Sequence, residues 1–193
     1  ETDPDLQPRF VEEQTQHLIT RLRNGNLDLA IMALPSEATG MVDSPLYTEK
    51  FSIVCPPDHP IAGREDVELA ELKDLDLLLL DDGHCLRDQV VDLCRHADIN
   101  PAEATNSVTR ASSLTTIMQL VMGGLGCTLV PESALATECH GKDVAIAHFA
   151  SDVTAEREVG LVFRSSAARS EEFREFGTLI TSAYNKAIER SRQ

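Results

Sequence analysis

Short apolar runs alternate along this chain with stretches of helical periodicity, and most of the runs end at a proline or in a turn. The apolar runs predict strands at residues 27–34, 51–55, 75–80, 126–130, 144–149 and 159–163. Apolar residues spaced three or four positions apart predict helices at residues 15–23, 86–97, about 113–122 and about 171–188. Strands that alternate with helices indicate an α/β architecture with mostly parallel sheets.

Length and charge limit the classes of protein that the chain can belong to. Its 193 residues, 42% of them hydrophobic, are enough for one large domain or two lobes. The net charge of -15 disfavours contact with nucleic-acid phosphates, so any DNA contact is expected from another part of the molecule. No apolar run approaches the roughly 20 residues that span a bilayer, and the acidic start of the sequence shows no signal peptide. We therefore expect no membrane association.

The five cysteines predict a reducing compartment, the cytoplasm. Their number is odd and no CxxC pair is present, whereas a secreted disulfide framework is normally even and denser. Most cysteines of such a protein are buried apolar residues. We assign that structural role to Cys55, Cys127 and Cys139.

The segment that favours reactive chemistry is Asp81-Asp82-Gly83-His84-Cys85-Leu86-Arg87-Asp88. It places Cys85 where a strand and a tight turn lead into a helix, and the start of a helix favours an anion. His84 and Arg87 add positive charge beside the thiol, whereas Asp82 and Asp88 either oppose that effect or position the cations. For an isolated cysteine the better interpretation is a small apolar residue, but the turn, the basic neighbours and a second cysteine favour a reactive thiol.

The second cysteine, Cys94, follows nine positions later. On one helix this separation is about 13 Å, whereas a disulfide needs Cα atoms within about 7 Å. A disulfide between them would therefore require the helix to reorder, which is a property of a switch. Zinc is a competing hypothesis with His84 and His96 as further ligands, but the spacing matches no usual zinc pair, and we predict no metal.

The chain resembles the hydrogen-peroxide-responsive activators among the LysR-type transcriptional regulators. The stretch LLLLDDGHCLRDQ, followed by Cys94 at the same spacing, is similar to the redox segment of that family. EEQTQHLITRLRNGNLDLAIMAL, SLTTIMQLVMGGLGCTLVP and EREVGLVFR resemble other elements of LysR-type effector domains. The resemblance covers nearly all of the sequence.

The resemblance implies a fold like that of the type-2 periplasmic binding proteins, with two α/β lobes. Lobe I would comprise residues 1–50 and 157–193, and lobe II residues 51–156. It also implies that Cys85 reacts with peroxide in a pocket between the lobes and that Cys94 resolves the oxidised sulfur. The family's peroxide pocket matches Thr15, His84, Arg87, Asp88 and Arg157. A second pocket threonine would lie before the start of this sequence, as would the DNA-binding domain.

The function implied is that of a sensor domain rather than an enzyme, without a cofactor. The implied partners are hydrogen peroxide, a glutaredoxin- or thioredoxin-type reductant and further copies in a homotetramer, a dimer of dimers. DNA and RNA polymerase would be contacted through the full-length protein. Three alternatives stay open: a LysR-type domain that binds a small organic metabolite in the cleft, a thiol peroxidase, and a secreted solute-binding protein.

Overall fold

The computed structural model describes residues 9–100 and 105–191. The helices are α1 (Thr15–Arg23), α2 (Cys85–His96), α3 (Leu114–Met122), α4 (Glu132–Glu138) and α5 (Ser170–Ser191), and Leu69–Asp74 forms a 3-10 helix. The strands are β1 (Leu29–Leu34), β2 (Met41–Cys55), β3 (Leu77–Leu80), β4 (Thr105–Ala111), β5 (Thr128–Pro131), β6 (Ala145–His148) and β7 (Glu156–Arg164).

The long strand β2 organises the larger sheet. Its first part, residues 41–50, pairs with β7, which in turn pairs with β1. Its last part, residues 51–55, pairs with β5 on one side and β6 on the other. One strand thus joins two groups of strands, and its partners change between Lys50 and Phe51. A separate pair is formed by β3 and β4.

The predicted strand direction is wrong for most of the described strands. Of the pairs between named strands, only β3 with β4 is parallel; the pairs of β1, β2, β5, β6 and β7 are antiparallel. Alternation of strands and helices implies parallel pairing only when a helix connects neighbouring strands of the same sheet. Here β2 pairs with β7, which is distant in sequence and runs the other way, so the sequence pattern does not fix the direction.

Residues 77–80 show how the core is divided. All four leucines are buried, and successive side chains of a strand point to opposite faces. Leu77 and Leu79 pack in a core with α2 and the end of β2, whereas Leu78 and Leu80 pack in a core with α3. Two smaller cores lie beneath α1 and beneath α5. The strand predicted at residues 75–80 is thus confirmed at residues 77–80, and the structure shows that both of its faces are buried.

Most predicted helices are confirmed to within one or two residues. The helix α1 spans the predicted residues, and α3 begins after Ser113, whose hydroxyl accepts a hydrogen bond from the amide of Thr116 as an N-cap. The sequence did not predict the 3-10 helix, β4, α4 or the first ten residues of β2, residues 41–50. The helix α4 is short and has no fully buried side chain, although Ala134 and Leu135 pack against the core around α3, so its apolar spacing is too brief to predict a helix. Within the described ranges, no helix has the length and apolar character needed to cross a membrane.

Candidate functional site

Cys85 is the first residue of α2, and its side chain is half-buried. The preceding turn ends β3 and contains Gly83, whose φ of 93° lies in the left-handed region that favours glycine. His84 occupies the N-cap position in extended conformation. The structure therefore confirms the strand, turn and helix start that the sequence predicts around Cys85, with the thiol partly accessible to a small reactant.

Arg87, one helical turn from the N-cap, is held by two carboxylates. Its Nη2 lies 2.8 Å from Oδ1 of Asp82, and its Nη1 lies 3.5 Å from Oδ1 of Asp88. Both carboxylates are largely exposed, whereas the arginine side chain is mostly buried. The sequence left open whether Asp82 and Asp88 oppose the positive charge near Cys85 or position it. These contacts match the second role, because both aspartates hold the Arg87 guanidinium beside the start of α2.

Arg157 approaches α2 from strand β7. Its Nη1 donates to Oε1 of Gln89 at 3.3 Å. Gln89 lies four residues after Cys85, so the two side chains project from the same face of the helix. Arg157, which is far from the cysteine in sequence, is thereby placed next to the helical turn that begins with the thiol.

A buried carboxylate holds Arg157 from the opposite side. Oε1 of Glu49 lies 2.7 Å from Nε and 2.5 Å from Nη2 of Arg157, and the Glu49 side chain has no exposed surface. Oε2 of Glu49 accepts a hydrogen bond from the backbone amide of Ser133 at 3.3 Å, and the arginine also lies over the Phe51 ring. A buried carboxylate requires such compensation, and here both of its oxygens receive it.

The start of α1 lies against the turn before Cys85. Gln14, the N-cap residue of α1, donates from Nε2 to the carbonyl oxygen of Asp82 at 3.5 Å. A Cβ atom on Gly83 would lie 3.1 Å from the Gln14 side chain. Thr15 is the first residue of α1 and is half-buried. The two helix starts that carry Thr15 and Cys85 therefore belong to one region of the molecule.

Cys94 lies in the same helix but in a different environment. Its side chain has no exposed surface and belongs to the core that contains Val90, Leu93 and Ile99. Burial raises the pKa of the Cys94 thiol above its ordinary value. Because α2 is uninterrupted from Cys85 to His96, the two cysteines are separated by about 13 Å along the helix, and both are free thiols.

The remaining cysteines lie in apolar surroundings. Cys55 and Cys127 are completely buried in the same core as Cys94, and Cys139 is half-buried against the core around α3. Burial raises the pKa of Cys127 to about 12 and also raises the pKa values of Cys55 and Cys139. These positions match the structural role that the sequence suggests. In residues 9–100 and 105–191, no group of three or more His, Cys, Asp or Glu is placed to hold a metal ion.

Three polar residues near the site were not identified from the sequence: Gln14, Glu49 and Gln89. A signal was present for Gln89, because it lies four residues from Cys85 on a predicted helix. Gln14 adjoins the predicted helix start but gives no indication of a contact with residue 82 or 83. Glu49 lies next to a predicted strand, and only the pairing of β2 with β7 shows that Arg157 is its partner.

The chain belongs to the family of LysR substrate-binding domains, whose model matches residues 1–185. A curated relative from Mycobacterium avium, described as a probable hydrogen peroxide-inducible genes activator, is 47% identical over 180 residues. That alignment covers 93% of this chain and 57% of the relative. The chain thus spans little more than half the length of this relative.

Solved structures of OxyR from Corynebacterium glutamicum have the same fold. A mutant bound to H₂O₂ is 59% identical, with a TM-score of 0.93, and the match covers 96% of this chain and 58% of that one. The oxidised form is 58% identical, with a TM-score of 0.85 over 98% of this chain and 58% of that chain. These matches confirm the predicted α/β fold of the LysR regulatory-domain type.

Proposed function

We propose that this chain is the sensor domain of a LysR-type transcriptional activator that responds to hydrogen peroxide through Cys85. The observation that carries the proposal is the placement of Cys85, half-buried at the first position of α2, with Cys94 buried later in the same helix. The relatives' names point the same way, since one is called a hydrogen peroxide-inducible genes activator and one OxyR structure is described as H₂O₂-bound.

The proposed chemistry has two steps. In the first, the Cys85 thiolate attacks one peroxide oxygen, the O–O bond breaks, hydroxide leaves, and the sulfur becomes a sulfenic acid. In the second, the Cys94 sulfur attacks the sulfenic sulfur, an S–S bond forms, and the displaced hydroxide and the Cys94 proton leave as water. The domain consumes one peroxide per disulfide, as a sensor would, and does not turn over as an enzyme.

Five further residues form the proposed peroxide pocket: Thr15, His84, Arg87, Asp88 and Arg157. Hydrogen-bond donors near the thiol orient the O–O bond and stabilise the leaving hydroxide. The contact of Arg157 with Gln89 and the contact of Gln14 with the turn before Cys85 support this grouping, because both bring distant segments to the start of α2.

The division into lobes is part of the proposal. Residues 1–50 and 157–193 form lobe I, and residues 51–156 form lobe II. The change in the partners of β2 between Lys50 and Phe51 supports the first boundary. Glu49 lies at the first boundary and Arg157 at the second, so their ion pair joins the two places where the chain passes between the lobes. Through Gln89, Arg157 also contacts α2.

Beyond this domain, we propose the partners of a complete regulator in the cytoplasm. A glutaredoxin- or thioredoxin-type reductant would return the disulfide to two thiols. The oligomer would be a homotetramer, a dimer of dimers, that changes its subunit arrangement on oxidation. DNA and RNA polymerase would be contacted through the full-length protein, because this domain is too acidic to bind DNA directly.

Rapid-mixing measurement of peroxide consumption tests the proposal. The reduced domain should show a fast phase that consumes one equivalent of peroxide and ends in a Cys85–Cys94 disulfide, seen by mass spectrometry. Cys85→Ser should abolish the fast phase, and Cys94→Ser should keep it but stop at the sulfenic acid. A fast phase that persists in Cys85→Ser would overturn the assignment.

The same samples distinguish the alternative functions. Saturable binding of a small organic metabolite together with slow Cys85 oxidation would favour a metabolite-binding LysR-type domain. Repeated turnover with a thiol reductant at enzyme-like rates would favour a thiol peroxidase.

A further inference from the structure

We propose that Glu49 is a positioning residue for peroxide chemistry at Cys85, acting through Arg157. This inference rests on the proposed function. Glu49 is too deeply buried to meet a reactant itself, since its side chain has no exposed surface. Its effect on the thiol would be indirect, by fixing where the Arg157 guanidinium lies relative to α2.

The strand pairing aligns the two residues. Glu49 on β2 and Arg157 on β7 are direct partners in the antiparallel register, which places their side chains next to each other on one face of the sheet. The carboxylate receives Nε and Nη2 of Arg157 on a single oxygen, Oε1. The amide of Ser133 holds the other oxygen, so the carboxylate itself cannot easily rotate.

Glu49 and Phe51 consequently hold the Arg157 guanidinium, and its remaining nitrogen, Nη1, faces α2. Glu49 binds Nε and Nη2, and the ring of Phe51 lies 5.9 Å from the guanidinium carbon. Nη1 remains to reach Gln89, on the same helical face as Cys85. A charged side chain of this length has many rotamers, and the buried carboxylate selects the one in which the cation faces the helix.

Peroxide chemistry depends on this placement more than alkylation does. Cleavage of the O–O bond requires an oriented peroxide and a stabilised leaving hydroxide, for which a fixed cation is effective. Alkylation of the same thiolate by iodoacetamide depends on exposure and ionisation of the sulfur, but it requires no oriented O–O bond. The ratio of the two rates therefore reports the positioning of Arg157 separately from general damage to the site.

The experiment compares both rates at Cys85, measured by mass spectrometry of its peptide, in a Cys94→Ser background. Glu49→Gln keeps the shape of the side chain but removes its charge. We expect the peroxide rate to fall about 10- to 100-fold while the iodoacetamide rate stays unchanged, and Glu49→Asp to recover part of the loss. Equal rates in wild type and Glu49→Gln, or an equal fall of both rates, would overturn the inference. A wild-type domain without fast oxidation of Cys85 would overturn the proposed function and this inference with it.

The matched control is Glu71→Gln, which removes the charge from another carboxylate that binds an arginine through two nitrogens, those of Arg64. Both rates should remain at the wild-type values. If Glu49→Gln fails to fold, Glu49→Asp takes its place, because it keeps the buried charge and leaves Arg157 paired but shortens the side chain that holds the guanidinium. Its peroxide rate should fall while its iodoacetamide rate stays normal, and an unchanged peroxide rate in it would overturn the inference.

Discussion

Cys85 and Cys94 share one uninterrupted helix, yet the first is half-buried at the helix start and the second is completely buried in the core. The rise of a helix separates them by about 13 Å, whereas a disulfide requires Cα atoms within about 7 Å. Oxidation to a disulfide is therefore incompatible with the observed α2. Any Cys85–Cys94 bond must unwind part of the helix and move at least one of the two cysteines out of its present surroundings.

Hydrogen exchange should detect this unwinding. In the reduced domain we expect slow exchange of the amides of residues 89–96, because they are hydrogen-bonded in α2 and close to the core. After one equivalent of peroxide, most of that protection should be lost. Cys94→Ser treated in the same way should retain it, because its oxidation stops at Cys85. Unchanged exchange in a sample whose disulfide is confirmed by mass spectrometry would contradict the prediction.

Thiol accessibility should differ strongly between the two cysteines. We expect iodoacetamide at neutral pH to modify Cys94 at least about 100-fold more slowly than Cys85, because Cys94 reacts only when the core opens. Burial also raises the pKa of Cys94, which further lowers its thiolate fraction. In denaturing urea the two rates should converge, as measured on the separate tryptic peptides. Equal rates in the native domain would show that Cys94 is more accessible than the structure indicates.

The sequence predicts the local parts of the site but not the contacts that assemble it. The turn, the helix start and the apolar face of α2 follow from spacing over about ten residues, and the structure confirms each of them. The pairing of Glu49 with Arg157 joins residues 108 positions apart and depends on the register of β2 against β7. Apolar periodicity carries no information about register between distant strands, and for the same reason it predicted the wrong strand direction.

Core packing predicts a clear contrast between two leucines. Leu77 on β3 is completely buried, whereas Leu179 on α5 is 59% exposed. Leu77→Ala should lower the free energy of unfolding by about 2–5 kcal/mol, because it removes buried methyl groups and leaves a cavity. Leu179→Ala should change it by less than about 0.5 kcal/mol. Urea unfolding followed by circular dichroism measures both, and similar values for the two variants would contradict the assigned core.

Cys127 should make the stability of the domain fall at alkaline pH. Burial raises the pKa of its thiol from 9.0 to about 12, so between these values the unfolded chain loses a proton that the folded chain keeps. Fewer protons on the unfolded state mean that the free energy of unfolding decreases as the pH rises, by up to about 1.4 kcal/mol per pH unit for one group. Below pH 9 this contribution is fully present, and it is lost progressively towards pH 12.

Cys127→Ala isolates this effect from the other groups that titrate in the same range. The variant should be less stable than wild type at pH 8, because it leaves a small cavity, and the difference should shrink by pH 10.5. Val54→Ala is the matched control, since Val54 is completely buried but has no proton to lose. Its difference from wild type should be the same at both pH values, measured by urea unfolding under reducing conditions. If the Cys127→Ala difference were equally constant, the thiol would ionise alike in the folded and unfolded states, and burial would not control its titration.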